Sequence, residues 1–266
     1  MEISSLDEKL ALLSEIIKKS ESAVIAFSGG VDSSVICAVS REILGDRAVA
    51  VTALSQTYPP GELKVAQTIA RKIGIKHLVI RTQETNNPLF LANPSDRCYH
   101  CKAELIQMLE EIRAKLGFRH IFDGTNSDDY LDTRPGLRAL SEYGVFSPLA
   151  EAGMTKEEVR RLALRYGLPN ADKPANPCLA SRIPFGQKIS KSKLDRIAKA
   201  EEFIRSLGFR VVRVRDNNNL ARVEVGREEV ARARRLEKEI ASALKGMGYS
   251  QVVIDPRGYR SGGANL

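Results

Sequence analysis

Cys98 and Cys101 stand three residues apart in DRCYHCK, residues 96–102, and Cys178 lies far along the chain in KPANPCLAS. Two thiols at this spacing near a helix start turn both sulfurs to one side, which suits a metal centre or a redox couple. A redox dithiol gives Cys178 no part. Structural zinc wants four closed ligands, and His100, inside the pair, is poorly placed to be the fourth. Three thiolates on a [4Fe–4S] cluster leave one iron open to carry a further sulfur. Cys178 can also work alone, as a persulfide carrier or a sacrificial thiol. The fourth cysteine, Cys37 in SSVICAV, reads as a small buried side chain.

The second chemical signal is AFSGGVDSS, residues 26–34, where an apolar strand meets a helix. Gly29 and Gly30 let the backbone turn sharply and bring its N–H groups against an anion. Ser28, Ser33 and Ser34 add hydroxyl donors, and the positive end of the helix starting near Asp32 points at the same spot. Neither GxxxxGK[ST] nor GxGxxG occurs, so this is neither a Walker loop nor a dinucleotide fingerprint.

The string resembles the SGGxDS loop of the PP-loop ATP pyrophosphatases. That resemblance implies ATP gripped by its pyrophosphate end, with Mg²⁺ contacted by Asp32, and a substrate oxygen adenylated at the α-phosphorus. It also implies an adenine contact at Ala53, where the second strand ends, and an α-phosphate lining from Gly124 and Thr125 in DGTNSDD. Read alone, DGTNSDD is equally a solvated turn before a helix cap. An adenylated oxygen awaits a nucleophile, and in this superfamily nitrogen and sulfur are the usual entrants.

Together, DRCYHCK, DGTNSDD, SPLAEAGMTKEEVR and KPANPCLASRIPFG resemble the LarE family of sulfur transferases across nearly the whole chain. The resemblance implies a small-molecule mononucleotide substrate, a pyridinium dicarboxylate whose carboxylate becomes a thiocarboxylate for a nickel-pincer nucleotide. It points to Cys98, Cys101 and Cys178 as the ligands of a [4Fe–4S] cluster, with sulfide or another donor supplying sulfur, and to a homo-oligomer. One branch of the family carries only the cysteine matching Cys178 and sacrifices its sulfur; Cys98 and Cys101 set this chain apart from that branch.

The resemblance also implies substrate contacts at Ser181, Arg182 and Glu224 and on a later strand, RVVRVR. There Arg213 and Arg215 alternate with valines, so both guanidinium groups leave one face, two residues apart, as a phosphate requires. Arg222 and Glu224 alternate on the strand that follows. The plain reading is a solvent-facing strand with ion pairs. Glu201 shares an apolar stripe with Leu194, Ile197 and Ile204, where a carboxylate needs a partner or a task. The resemblance makes it a catalytic residue, and an ion pair with a nearby arginine fits equally. Lys173 is either a phosphate neutraliser or a plain loop lysine, and His77, His100 and His120 read as structural.

These residues need a scaffold. Residues 5–19 read as a helix with Ser5 and Glu8 spaced as a capping box. Strands at 23–28, 48–54, 77–80 and 120–124 alternate with helices at 32–44, 61–73, 100–116 and 155–166. Near-continuous apolar strands between helices predict an α/β fold, a parallel sheet with helices on both faces, and ligands at the carboxyl ends of its strands. The stretch 168–190 holds four prolines and neither period, and reads as a lid or hinge. Beyond it a helix at 191–207, strands at 210–215 and 221–225, a helix at 227–245, a strand at 250–255 and a Gly-rich tail predict a small C-terminal α/β domain. The expected domains are 1–185, the PP-loop domain, and 186–266, a basic domain for substrate and oligomer contacts.

The net charge of +8 is unevenly placed. Residues 1–185 hold 23 Lys+Arg and 23 Asp+Glu, whereas 186–266 hold 18 and 10, so the whole excess lies in the last third and predicts an anionic partner there. No apolar run is long enough to span a bilayer, and acids near the N-terminus differ from a signal peptide, which predicts a cytoplasmic protein. A tRNA thiolase with the same loop is the main rival. RNA readers display aromatic platforms, and Phe185, Phe203, Phe209, Tyr249 and Tyr259 form no evident one. An amide-forming ligase or an ATP sensor would have no need of Cys178.

Overall fold

The computed structural model describes residues 5–131, 135–260 and Gly263. In chain order its elements are α1 (Leu6–Ser20), β1 (Ala23–Ala26), α2 (Val31–Leu44), β2 (Ala48–Leu54), α3 (Glu62–Ile73), β3 (Lys76–Arg81), α4 (Pro88–Leu91), α5 (Arg97–Leu116), β4 (His120–Phe122), α6 (Pro135–Glu142), α7 (Pro148–Glu151) and α8 (Lys156–Arg165). There follow α9 (Lys191–Ser206), β5 (Val212–Asn217), β6 (Leu220–Val225), α10 (Val230–Arg235), α11 (Glu237–Gly246) and β7 (Gln251–Ile254). The chain divides into two compact units. One comprises residues 1–54, 61–82 and 98–175, and the other 55–60, 83–97 and 176–266. Two short segments from the first half of the sequence thus group with its last third.

The first unit is a four-stranded parallel sheet in the order β3-β2-β1-β4. Strand periodicity divides its apolar residues between two cores. Ala23, Ile25, Ala48, Ala50 and Phe122 face one core with α1, α2 and α8. Val24, Val49, Val51 and Ile121 face the other with Ile106 and Leu109 of α5 and Leu140 of α6. Both faces are therefore covered, as near-continuous apolar strands require. Helix α1 opens on the capping box of Ser5 and Glu8, and α8 on a second one from Thr155 and Glu158. Cys37 is fully buried in α2, and burial pushes its thiol far up, so it is packing material.

The second unit holds a three-stranded sheet in the order β5-β6-β7, antiparallel then parallel. Val212, Val214, Val223 and Val225 pack under Ala200 and Ile204 of α9 and Ile240 and Leu244 of α11. The expected helix at 227–245 is instead a short 3-10 turn followed by α10 and α11, with Leu236 between them. Leu236 turns its side chain onto the same core, and no Pro or Gly in that stretch signals the break. Within the expected loop, residues 179–182 form one 3-10 turn. Apart from Gly263, the tail beyond Arg260 lies outside the described residues.

Candidate functional site

In the sheet order, β1 is flanked by β2 on one side and β4 on the other, so the direction of winding reverses between β1 and β4. Ligands of parallel sheets gather at such a switch, beyond the strands' carboxyl ends. Residues 27–30 leave β1 there, and residues 123–126 leave β4.

Gly29 adopts φ +74°, which side-chain-bearing residues resist, and a Cβ on it would sit 3.1 Å from that of Ala66. Gly30 is the N-cap of α2 with no side-chain cap, so the first-turn amides stay available to an anion. A Cβ on Gly124 would lie 2.8 Å from the Ser33 nitrogen, so only glycine lets these two backbones meet. The serines are built into the turn. Ser33 Oγ donates to the Gly30 carbonyl at 3.2 Å and accepts from the Ser28 amide at 3.3 Å, while Ser34 Oγ donates to Gly30 O at 2.8 Å. Ser28 is exposed at the loop's rim.

Asp32, half-buried in the first turn of α2, accepts from Asn126 Nδ2 at 3.2 Å and pairs with Lys156 Nζ at 2.5 Å. A carboxylate at the rim of an amide cradle, with a lysine beside it, fits a Mg²⁺-bound triphosphate. Thr125 is buried; its hydroxyl and amide bind Asp123 at 2.7 and 3.1 Å. Burial pushes the Asp123 carboxyl up, but Lys102 at 3.1 Å and the hydrogen bonds of Ser147 and Thr125 outweigh it and hold it below its ordinary value. Ala53 lies in the last part of β2, half-buried. Lys173 pairs with Glu62 at 2.5 Å, at the start of α3.

Cys98 is exposed and Cys101 half-buried in the first turns of α5, in the first unit. Cys178 is half-buried and belongs to the second unit. Among the described residues, no group of three His, Cys, Asp or Glu side chains is gathered to hold a metal ion.

Around Cys178 the second unit is densely polar. Arg182 and Glu201 are both fully buried and form a two-point ion pair, Nε to Oε1 at 2.7 Å and Nη2 to Oε2 at 3.0 Å. Glu201 also accepts from Arg205 at 2.7 Å and from the Val214 amide at 3.1 Å. Burial alone would raise its pKa, but Arg182, Arg205 and Arg213 hold it below the usual carboxylate value. The expected partner of the stripe carboxylate is therefore Arg182.

Arg213 and Arg215 leave one face of β5, but that face is interior: they are 3% and 5% exposed. Arg215 is paired with Glu224 at 2.8 Å and donates to the carbonyls of Ser181 at 3.0 Å and Arg260 at 3.2 Å. Arg213 lies over the Tyr259 ring at 5.0 Å. Burial, reinforced by the like charge of Arg182 and opposed by Glu201, pushes its pKa down to about 10. A buried cation in this state gains from an incoming anion.

Several participants are brought to the site only by the fold. Asn170 is buried and donates to Gly29 O at 3.0 Å and Ser34 Oγ at 2.9 Å, holding the phosphate loop from behind. Lys102, the last residue of DRCYHCK, and Lys156, in SPLAEAGMTKEEVR, meet Asp123 and Asp32 only through the fold. Arg260 offers its backbone carbonyl to Arg215, while its guanidinium lies 4.0 Å from Asp255 and its Nε has no hydrogen-bond partner among the described residues. Glu84, 2% exposed, accepts from Ser55 and from Thr57 Oγ1, and Thr57 O receives the Leu179 amide at 2.7 Å. No helix among the described residues is long and apolar enough to cross a membrane.

Residues 6–106 match the NAD synthase family. An uncharacterized protein of Synechocystis sp. is 43% identical over 98% of both chains. An uncharacterized protein of Methanocaldococcus jannaschii is 30% identical over 91% of this chain and 92% of its own. The pyridinium-3,5-bisthiocarboxylic acid mononucleotide synthase of Lactiplantibacillus plantarum is 32% identical over 99% of this chain and 96% of that one. With a glycine-built phosphate cradle at the sheet's switch point and similarity running the length of the synthase, the chain belongs to the LarE family of PP-loop ATP pyrophosphatases.

Proposed function

We propose that this protein is an ATP-dependent sulfur transferase that converts a carboxylate of a pyridinium dicarboxylate mononucleotide into a thiocarboxylate, a step toward a nickel-pincer nucleotide. The observation that carries the reading is that each unit holds a cluster suited to an anion, and the two differ in build. One is the amide cradle of Gly29–Ser33 with Asp32 and Lys156, suited to a triphosphate. The other is the buried pair Arg213 and Arg215 on one face of β5, with Arg215 bound to the Ser181 carbonyl, suited to a phosphorylated acid.

In the first half-reaction a substrate carboxylate oxygen attacks the α-phosphorus of ATP, the bond to the bridging oxygen breaks, and pyrophosphate leaves. The first-turn amides of α2 and the Ser28 hydroxyl bind the leaving group, Lys156 adds positive charge, and Asp32 would hold Mg²⁺, which supplies charge neutralisation on the phosphates. In the second, sulfur attacks the acyl carbon and AMP departs. The resemblance assigns that sulfur to a [4Fe–4S] cluster on Cys98, Cys101 and Cys178. Among the described residues, however, no three such ligands are gathered.

Cys178 by itself gives a balanced route. Its thiolate forms a thioester, a base takes the Cys178 Hα, the Cβ–Sγ bond breaks, the thiocarboxylate leaves and dehydroalanine remains. Cys178 is favoured as the sulfur-handling residue because Arg182 and Arg215 bind the backbone carbonyls of its loop.

Anaerobic purification followed by iron and sulfide analysis separates the two sulfur sources. About four irons per chain, lost in Cys98→Ala, Cys101→Ala and Cys178→Ala, supports the cluster. A protein without iron that turns over once and gains dehydroalanine at position 178 supports direct donation. Absence of substrate-dependent pyrophosphate release refutes the enzyme reading altogether.

A further inference from the structure

Arg182 was expected to touch substrate, but the structure gives it other work. Its side chain is 0% exposed, and its donors are directed at the loop that carries Cys178. Nη1 donates to Pro177 O at 2.6 Å, Cys178 O at 3.1 Å and Ser181 Oγ at 3.0 Å; Nη2 donates to Asn176 Oδ1 at 3.0 Å. Nε and Nη2 meanwhile grip Glu201 on α9. Six hydrogen bonds from one guanidinium thus tie residues 176–181 to a helix carboxylate.

The far side of the loop is tied too. The Leu179 amide donates to Thr57 O, and the Thr57 hydroxyl donates to the buried carboxylate of Glu84. Cys178 sits between the two ties, at the N-cap of the 3-10 turn 179–182. A guanidinium is suited to this role because its planar fork addresses several carbonyls at fixed angles, which an ammonium cannot do.

We propose that Arg182, anchored on Glu201, is a positioning residue for Cys178: it fixes the loop backbone so that the thiol meets the activated acyl carbon in one orientation, and it does not bind substrate itself. This rests on the reading of Cys178 as the sulfur-handling residue. Displacing a reacting group by about 1 Å costs about a hundredfold in rate, so a looser loop is felt in the sulfur step and not in adenylation.

Arg182→Lys, Glu201→Gln and Asn176→Ala test it in the full chain, with Cys178→Ala alongside. Three readouts are needed: substrate-dependent pyrophosphate release, thiocarboxylate formation, and the iodoacetamide alkylation rate of each cysteine by peptide mass spectrometry. In Arg182→Lys and Glu201→Gln, thiocarboxylate formation should fall about tenfold or more. Pyrophosphate release and the KM for ATP and substrate should stay parental, and Cys178 alkylation should quicken while that of Cys98 and Cys101 is unchanged. If either variant fails to show a cooperative melt, Asn176→Ala, which removes one loop tie and spares the ion pair, should show the same split to a lesser degree.

Folded variants with parental thiocarboxylate rates and parental Cys178 alkylation would overturn the proposal, as would a raised substrate KM with unchanged kcat, the signature of direct binding. Full thiocarboxylate yield from Cys178→Ala would instead refute the sulfur-handling reading. The alkylation rates judge the loop tie in either case.

Discussion

At the scale of single residues, the phosphate cradle depends on two glycines for different reasons. Gly29 is needed for its φ of +74°, and Gly124 for its close approach to Ser33. Gly124→Ala should weaken ATP binding about tenfold or more by calorimetric titration, because its methyl would stand 2.8 Å from the Ser33 nitrogen and push the loops apart. The global melting temperature should change little, since the strain is local. Asp32→Asn removes the charge that would hold Mg²⁺ and leaves Lys156 unneutralised. Pyrophosphate release should then lose its dependence on magnesium concentration and fall by at least about a hundredfold. Release at the parental rate would remove Asp32 from the mechanism.

At the scale of elements, buried ion pairs link strands and helices, and acid should undo them. Asp123 and Glu201 both have folded-state pKa values below their ordinary ones. Each therefore contributes stability that is fully present above the ordinary carboxyl range, near pH 4–4.5, and lost as the pH falls through the depressed folded value. Urea midpoints should be level near neutrality and drop steeply below about pH 4, and Glu201→Gln should blunt that drop. Arg182→Ala breaks the two-point pair, leaving Glu201 with Arg205 and the charge of Arg213, and should cost about 3 kcal/mol, read from the same curves.

The elements were largely legible in advance because strand and helix periods are local: β2 spans 48–54 as expected, and the Ser5 capping box forms. The SGG loop was legible for the same reason. What the residues alone could not show was long-range: that the valine-alternating arginines of β5 face inward, that Arg182 and Glu201 meet, that Asn170 backs the phosphate loop, or that α10 and α11 part at Leu236 without a breaker. Each is decided by packing between segments far apart in sequence.

At the scale of the whole molecule, much of the positive charge of the second unit is internal. Arg182, Arg196 and Arg215 are paired with Glu201, Asp216 and Glu224 beneath the surface. This arrangement favours a small anion drawn into the second unit over a long polyanion laid across it. Arg213 carries its proton at a cost there, since its folded pKa of about 10 lies below the ordinary guanidinium value; below that pH its charge opposes folding until an anion arrives. Millimolar inorganic phosphate should therefore raise the melting temperature at pH 7, and Arg213→Gln and Arg215→Gln should abolish the rise. An equal rise in both variants would place the anion elsewhere.

The proposed activity is an oxygen-for-sulfur exchange that draws on ATP and on Cys178. Its most direct test mixes the parent or Cys178→Ala with ATP, magnesium and the pyridinium dicarboxylate mononucleotide under anaerobic conditions, then quantifies pyrophosphate and the sulfur-containing product by mass spectrometry. The parent should yield both, whereas Cys178→Ala should release pyrophosphate and form no thiocarboxylate. Thiocarboxylate from Cys178→Ala at the parental yield, or from the parent without ATP, would contradict it.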